Sequence, residues 1–202
     1  MHFEKDFIYH IYNQGNNKQK IFFNRENYLF FLRKIKNHVF PYADIIAWCL
    51  MPNHFHLMVH VNEIEVVVSE GLTQSQTLTN NKLRSFNDSI GVLMRSYTRA
   101  INKQNETSGS LFRKETKAEC LNQTNGVAPS FYNTTSGTII HIDNPEKQYP
   151  NICFNYIHQN PVNAGLAKSE TDWEFSSAID YAGLRNGTLV NKEKAKEYLN
   201  LE

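Results

Sequence analysis

Two histidines separated by one residue, His54 and His56, are the first candidates for chemistry in this sequence. In a strand, alternate side chains share a face at about 6.6 Å, so both imidazoles can hold one divalent ion while Phe55 points into a core. Taken alone, such a pair is more often structural, and a metal would need further ligands. Zinc suits the imidazoles, but an oxygen-rich completion of the site favours Mg²⁺ or Mn²⁺.

Tyr156 and Asn160 are a second candidate pair, near the end of a predicted helix. Residues four apart lie on one helix face, so a phenol nucleophile and a metal-binding amide oxygen can act together. The alternative is that Tyr156 continues an apolar stripe with Ile152, and that Asn160 only ends the helix before Pro161. Tyr97 lies within the apolar stripe of another helix and is predicted to belong to the core.

Charge is unevenly distributed along a chain whose formal net charge is only +1. Residues 82–117 contain eight basic and three acidic side chains, a local charge of +5, whereas residues 63–81 contain three acidic side chains and no basic one. A nearly neutral chain can therefore carry one basic surface. That surface is either a binding surface for a polyanion or a solvated helix face.

Patterns of apolar residues predict the elements that position these groups. Strand-forming runs occur four times, at residues 7–12, 43–50, 54–61 and 110–121. Helical spacing occurs three times, from the cap at Asn24 to about residue 40, from about 82 to 107, and from about 145 to 159. The tail is expected to dock through Trp173 and Phe175 and to end in a charged helix.

The order strand-helix-strand-strand-helix-strand-helix predicts an α+β fold. We expect a ferredoxin-like (RRM-like) sandwich with a central antiparallel sheet and helices on one face. The 202 residues suit a single domain, 1–202, with polar insertions at about 62–81 and 122–145, the second holding a short hairpin near residues 138–140. A barrel hydrolase can also carry His-x-His on a strand, but it needs about 250 residues and repeated βα units, so it is excluded.

The composition also predicts a cellular location. No run of about 18 apolar residues is present, which excludes a membrane span, and the charged N-terminal residues lack a signal-peptide core. The three cysteines form no C-x-x-C pair, so reduced thiols are expected. Together these features predict a cytoplasmic protein.

Two motifs taken together resemble the HUH single-tyrosine transposases, and within them the REP-associated tyrosine transposase branch. The motifs are WCLMPNHFHL at residues 48–57 and YIHQNPVNAGL at residues 156–166. Supporting matches are NQGNN at 13–17, IF at 21–22, GSLFR at 109–113 and DWEFSS at 172–177. The resemblance extends over roughly residues 3–182, and the joint occurrence of these segments in this order is what makes it specific.

The resemblance implies a role for each candidate residue. His54 and His56 would be the metal ligands, Asn160 would help to complete the metal site, and Tyr156 would be the nucleophile. The activity implied is metal-dependent cleavage and rejoining of single-stranded DNA, often beside a hairpin or palindrome, through a 5′-phosphotyrosine intermediate. Basic side chains would contact the DNA backbone, first Arg113, Lys114 and Lys117, then Arg95 and Arg99.

Two questions stay open at this level. The first is whether the chain is instead a non-catalytic or domesticated single-stranded nucleic-acid-binding protein on the same fold. The second is oligomeric state, because some relatives are homodimers that exchange the tyrosine helix and others act as monomers. The two polar insertions are longer than expected for compact members, so the DNA path is not fixed by the resemblance.

Overall fold

The computed structural model of the protein describes residues 1–69, 81–122, 132–134, 137–139 and 145–201. Its strands are β1 Ile8–Gln14, β2 Ala43–Met51, β3 His54–Val61, β4 Glu65–Ser69, β5 Asn81–Ser85, β6 Lys117–Cys120, β7 Tyr132–Thr134 and β8 Gly137–Ile139. Its helices are α1 Arg25–His38, α2 Phe86–Asn105, α3 Pro145–Asn163, α4 Ala178–Tyr181 and α5 Lys192–Tyr198.

Four strands form one antiparallel sheet in the order β2-β3-β1-β6. β3 pairs with β2 across the tight turn at residues 52–53, as the sequence predicts, and with β1 on its other side. In this register Tyr12 lies opposite His56. Because α1 connects β1 to β2 and α2 lies between β3 and β6, this is the ferredoxin-like arrangement, and the predicted fold class is confirmed.

Both faces of the sheet are covered, although the sequence predicted helices on one face only. α1 and α2 pack together on the first face, and α3 and α5 pack on the second, mainly against β2. The physical reason lies in β2, which points Ile46, Cys49 and Met51 to the second face. These side chains are fully buried, and without α3 they would be exposed to water.

The two helices of the first face have the predicted start signal and apolar stripe. The Asn24 side chain accepts a hydrogen bond from the backbone N–H of Asn27 and so caps α1. α2 buries the predicted stripe in full, namely Phe86, Ile90, Leu93, Tyr97 and Ile101. These aromatic and aliphatic side chains form one continuous core with α1 and the sheet.

The first polar stretch, predicted as a loop over 62–81, contains strand structure at both ends. β4 pairs with β5, and residues 70–80 lie outside the described residues. The pairing occupies the chain up to Ser85, so α2 begins at Phe86 and not near Lys82 as predicted. Its N-terminus is capped by Ser85, whose hydroxyl accepts from the Asp88 N–H.

The fourth predicted strand, 110–121, is shorter in the structure. Only Lys117–Cys120 pairs with β1, and Phe112 makes an isolated bridge to Gly15. Leu111 and Phe112 are adjacent and both buried in the core, which breaks the alternation that a strand requires. In the second polar stretch, β7 and β8 form a hairpin, and residues 123–131, 135–136 and 140–144 lie outside the described residues.

α3 continues beyond the predicted stop at residues 159–160, and Pro161 lies inside its last turn. A proline in the last turn removes only one backbone hydrogen bond of the helix. The carbonyl oxygens of Asn160 and Pro161 still accept hydrogen bonds from the backbone N–H groups of Ala164 and Leu166, respectively. The predicted docking of the tail is present. The indole N–H of Trp173 donates to the Leu50 carbonyl oxygen, which ties the tail to β2.

Candidate active site between the sheet and the third helix

β3 presents His54 and His56 on the second face of the sheet, and the side chain between them, Phe55, enters the core of the first face. The ring centroids of the two imidazoles are 5.0 Å apart and their planes are nearly perpendicular. His56 is buried, whereas His54 is half-buried at the end of the strand. The predicted alternation of side chains therefore places both rings at one end of the sheet.

α3 brings the second pair of candidates to the same place. The Asn160 amide oxygen lies 3.1 Å from His54 Nε2, and its amide nitrogen lies 3.4 Å from His56 Nε2. The ring of Tyr156 meets His56 edge-on, with centroids 5.3 Å apart. All four candidate residues therefore meet within a single chain.

The donor set fits a divalent cation. The Nδ1 atom of His54 lies 2.6 Å from the Asn53 amide oxygen, which can only accept, and this is the shorter of the two contacts that the ring makes with acceptors, so the geometry favours the proton on Nδ1. A neutral His54 then directs the lone pair of Nε2 toward the Asn160 oxygen, which is also an acceptor. Two acceptors at this separation attract each other only through a cation or a proton between them.

Burial keeps both imidazoles in the neutral form that a metal ligand requires. It lowers the pKa of His54 and moves that of His56 further down, with the neighbouring His10 and His54 adding to the effect on His56. Both rings are therefore neutral at pH 7 and available as ligands. In the described part of the chain no group of three His, Cys, Asp or Glu is placed to bind a metal, so the set consists of two imidazoles and one amide.

The candidate nucleophile Tyr156 and the predicted core residue Tyr97 differ sharply in the structure. Tyr156 is 47% exposed and borders the cleft beside the histidines. Partial burial raises its pKa, and the Asn160 amide acts in the opposite direction. Tyr97 is fully buried, its hydroxyl donates to the Ile21 carbonyl oxygen, and burial raises its pKa strongly. Tyr97 is a core residue, as predicted.

The basic residues predicted to contact DNA line two adjoining depressions. A cleft of about 360 Å³ contains both imidazoles and Tyr156, and two of the predicted basic residues line it, Arg113 and Lys117. A larger groove of about 1020 Å³ lies between α2 and residues 109–118, and Arg95, Arg99 and Lys114 line it together with Arg113. Arg113 thus belongs to both, and all five basic side chains are exposed.

Two residues of β1 near the site were not among the sequence candidates. The Nε2 atom of His10 lies 2.8 Å from His56 Nδ1. The Tyr12 hydroxyl lines the cleft and donates to Glu119 at 2.5 Å, and burial raises the pKa of this phenol. Both residues share a face with His56 through the β1–β3 register, a pairing that no local sequence pattern reveals.

His158 lies on α3 between Tyr156 and Asn160, and it packs in the interior. Its ring is buried away from the cleft, and its Nε2 lies 2.7 Å from the Ser177 hydroxyl. Burial lowers the pKa of His158 to about 4. Ser177 also bonds the backbone of Trp48, so this contact fixes α3 relative to β2.

Comparison with known proteins identifies a similar fold. No family model and no curated protein matches the chain. A solved REP-associated tyrosine transposase, bound to a REP hairpin, superposes with a TM-score of 0.57 at 16% identity, covering 91% of this chain and 83% of the other. The fold implied by the motif resemblance is therefore the fold observed. In the described ranges, every helix is too short or too polar to cross a lipid bilayer.

Proposed function

We propose that this chain is a DNA transposase that cleaves and rejoins single-stranded DNA through a 5′-phosphotyrosine intermediate. The observation that carries the proposal is the meeting of Tyr156, His54, His56 and Asn160 at one open cleft within a single chain. The fold shared with a tyrosine transposase supports the same conclusion.

His54, His56 and Asn160 would hold the metal through two Nε2 atoms and one amide oxygen. A bound Mg²⁺ or Mn²⁺ would neutralise a non-bridging phosphate oxygen and stabilise the charge that develops there during the reaction. Burial raises the pKa of the Tyr156 phenol, and the Asn160 amide would oppose that rise. One helix turn thus couples the position of the nucleophile to that of the metal ligand.

Tyr156 would attack the phosphorus of a phosphodiester and form a new P–O bond with its phenolic oxygen. The bond to the 3′ oxygen breaks, that oxygen takes up a proton, and the phenolic proton leaves to solvent at the exposed side of the ring. The phosphotyrosine ester keeps the energy of the broken bond. A second 3′-OH can therefore attack it and rejoin the strand without ATP, whereas cleavage by water would lose that energy.

The basic side chains would guide the strand to the nucleophile. Arg113 and Lys117 lie in the cleft next to the imidazoles, and the groove beside α2 continues the positive lining away from it. We propose that the scissile phosphate occupies the cleft and that neighbouring nucleotides follow the groove, with affinity that falls as salt rises. Because the similar transposase is bound to a REP hairpin, hairpin DNA is the proposed partner class.

A non-catalytic RRM-like protein is the alternative, and the position of α3 argues against it. Such proteins stack bases on aromatic residues of the open sheet face. Here α3 packs on that face against β2, and its Tyr156 points at the histidines instead of leaving a platform. The site is also complete without a second copy of the chain, so a homodimer is not required for the proposed chemistry.

The proposal is tested with labelled single-stranded oligonucleotides that carry a hairpin with randomised flanks, incubated with the protein and Mn²⁺. We expect a covalent protein–DNA species that survives SDS and is lost with EDTA. Tyr156→Phe should form none while still binding the same DNA, as measured by fluorescence anisotropy. Covalent product that persists in EDTA would show that the metal role is wrong, and binding without any covalent product would favour the RRM-like alternative.

A further inference from the structure

In both candidate histidine ligands, the ring nitrogen that faces away from the proposed metal, Nδ1, contacts another side chain of the protein. His54 Nδ1 lies 2.6 Å from the Asn53 amide oxygen, and His56 Nδ1 lies 2.8 Å from His10 Nε2. An imidazole can bind a metal through Nε2 only if that nitrogen carries a lone pair, which requires the proton on Nδ1. Whatever accepts that proton therefore decides whether the ring is ready for the metal.

The orientation of the Asn53 amide is fixed from its other side. Its amide nitrogen donates to the Lys18 carbonyl oxygen at 3.3 Å, so its oxygen must face His54. The backbone around it is held as well, because the Gly15 N–H donates to the Asn53 carbonyl oxygen and the Ile21 N–H to that of Pro52. Asn53 is therefore a preset acceptor for the His54 proton.

The segment that holds Asn53 tolerates little change. A Cβ at Gly15 would lie 2.2 Å from the Gln19 carbonyl oxygen, so glycine is required for the chain to close this loop. Asn17 and Lys18 have positive φ values of 51° and 58°, which turn the Lys18 carbonyl toward Asn53. A strained turn next to the ligands indicates that the geometry around Asn53 is specified by the fold.

His10 plays the equivalent part for His56. Both rings are buried, and they stack with centroids 5.0 Å apart. The other nitrogen of His56 faces the Asn160 amide nitrogen, which is a donor, so His56 Nε2 is an acceptor and its proton lies toward His10. His10 is positioned by β1, in the strand pairing that places it beside β3.

We propose that Asn53 and His10 are positioning residues that set the tautomers of His54 and His56, so that both rings direct an Nε2 lone pair to the metal. The inference rests on the proposed metal-dependent function, because it assigns the groups that prepare that same site. Neither residue touches the DNA or the metal in this scheme. Each acts only through the ring that it orients.

The direct readout is the position of the imidazole proton. Long-range ¹H–¹⁵N NMR correlation of the metal-free protein should show both His54 and His56 protonated on Nδ1. In Asn53→Ala, His54 should become a mixture of tautomers. A His54 ring protonated on Nε2 in the unmodified metal-free protein would overturn the proposal.

The second readout is Mn²⁺ affinity, measured by EPR titration of free Mn²⁺. Asn53→Ala and His10→Phe should each weaken binding by about 10–100-fold. Asn53→Asp and His10→Gln retain an acceptor, so both should bind much more tightly than their partners. Equal affinities within each pair would overturn the proposal. If the Ala or Phe variant does not fold, the acceptor variants are compared with the unmodified protein, and a loss of about 10-fold or more in them would overturn it instead.

The chain contains a matched control on the same strand. His60 Nδ1 lies 2.9 Å from the Asn62 amide oxygen, the same type of contact at the far end of β3. Asn62→Ala should leave Mn²⁺ affinity unchanged, and a loss equal to that of Asn53→Ala would contradict a local role. If the unmodified protein binds no Mn²⁺, the proposed function fails. If it binds and forms the covalent DNA product while Asn53→Ala and His10→Phe match it, only the positioning role fails.

Discussion

The two faces of the central sheet differ in what they bury, and the difference runs along a single strand. On the first face β3 points Phe55, Leu57 and Val59 into a core shared with α1 and α2. On the second face the alternate residues include three histidines, His54, His56 and His60. The core of the first face and the candidate site therefore lie on opposite sides of one strand, one residue apart.

The second face of the sheet has an apolar core where α3 covers it. Near the middle of the sheet, α3 covers β2 and β3 with Cys153 and Ile157, which pack against Cys49 and Met58. At the end where β3 begins, the cleft opens around the histidines. α3 therefore has two roles. It buries the apolar side chains near the middle of the sheet, and it places Tyr156 in the cleft at the end of the sheet.

The largest expected effect on stability comes from a comparison of two neighbouring residues of β3, Phe55 on the first face and His54 on the second. Phe55→Ala should lower the free energy of unfolding by about 3–5 kcal/mol, because it leaves a cavity in the first core. His54→Ala should cost far less, since that ring is half-buried, but it should abolish Mn²⁺ binding. Urea denaturation and EPR titration give both quantities. A folded Phe55→Ala protein that binds no Mn²⁺ would break the separation of the two faces.

Tyr97 and Tyr156 are expected to differ in the same way, one in its effect on stability and the other in its effect on the reaction with DNA. Tyr97→Phe removes the hydrogen bond to the Ile21 carbonyl oxygen and should cost about 1–2 kcal/mol of stability, with covalent DNA product retained. Tyr156→Phe should leave the melting temperature almost unchanged, because the residue is 47% exposed. Thermal denaturation of both variants is the measurement. A larger loss in Tyr156→Phe than in Tyr97→Phe would contradict this assignment.

The smallest expected effect concerns the basic lining of the cleft. Arg113→Ala removes one phosphate contact, so the slope of log affinity for single-stranded DNA against log salt should decrease by about 0.7. Arg33→Ala is the control, because Arg33 lies on α1 over the Phe30 ring and lines neither depression. Anisotropy titrations at several salt concentrations measure both slopes. Equal slopes for the two variants would place the DNA elsewhere.

Much of the fold was predictable because its signals are local. The three central strands, the cap of α1 and the buried stripe of α2 follow from residue types at fixed spacing. The pairing of His54 with His56, and of Tyr156 with Asn160, follows from the same two periods. Local periodicity therefore gave each half of the candidate site.

The tertiary contacts that bring the two pairs of candidate residues together could not be predicted from local sequence patterns. The contact between His10 and His56 depends on strand register, and the packing of α3 on the second face depends on the apolar side of β2. The break in the fourth strand depends on Leu111 and Phe112 both entering the core. Each is a tertiary effect that overrides a local preference.

The most direct test of the account is to identify the residue that carries the DNA. The covalent product formed with Mn²⁺ is digested with nuclease and protease, and the modified peptide is sequenced by mass spectrometry. We predict a nucleotide phosphate on Tyr156. A phosphate on Tyr12, which lines the same cleft, or on the buried Tyr97 would contradict the account.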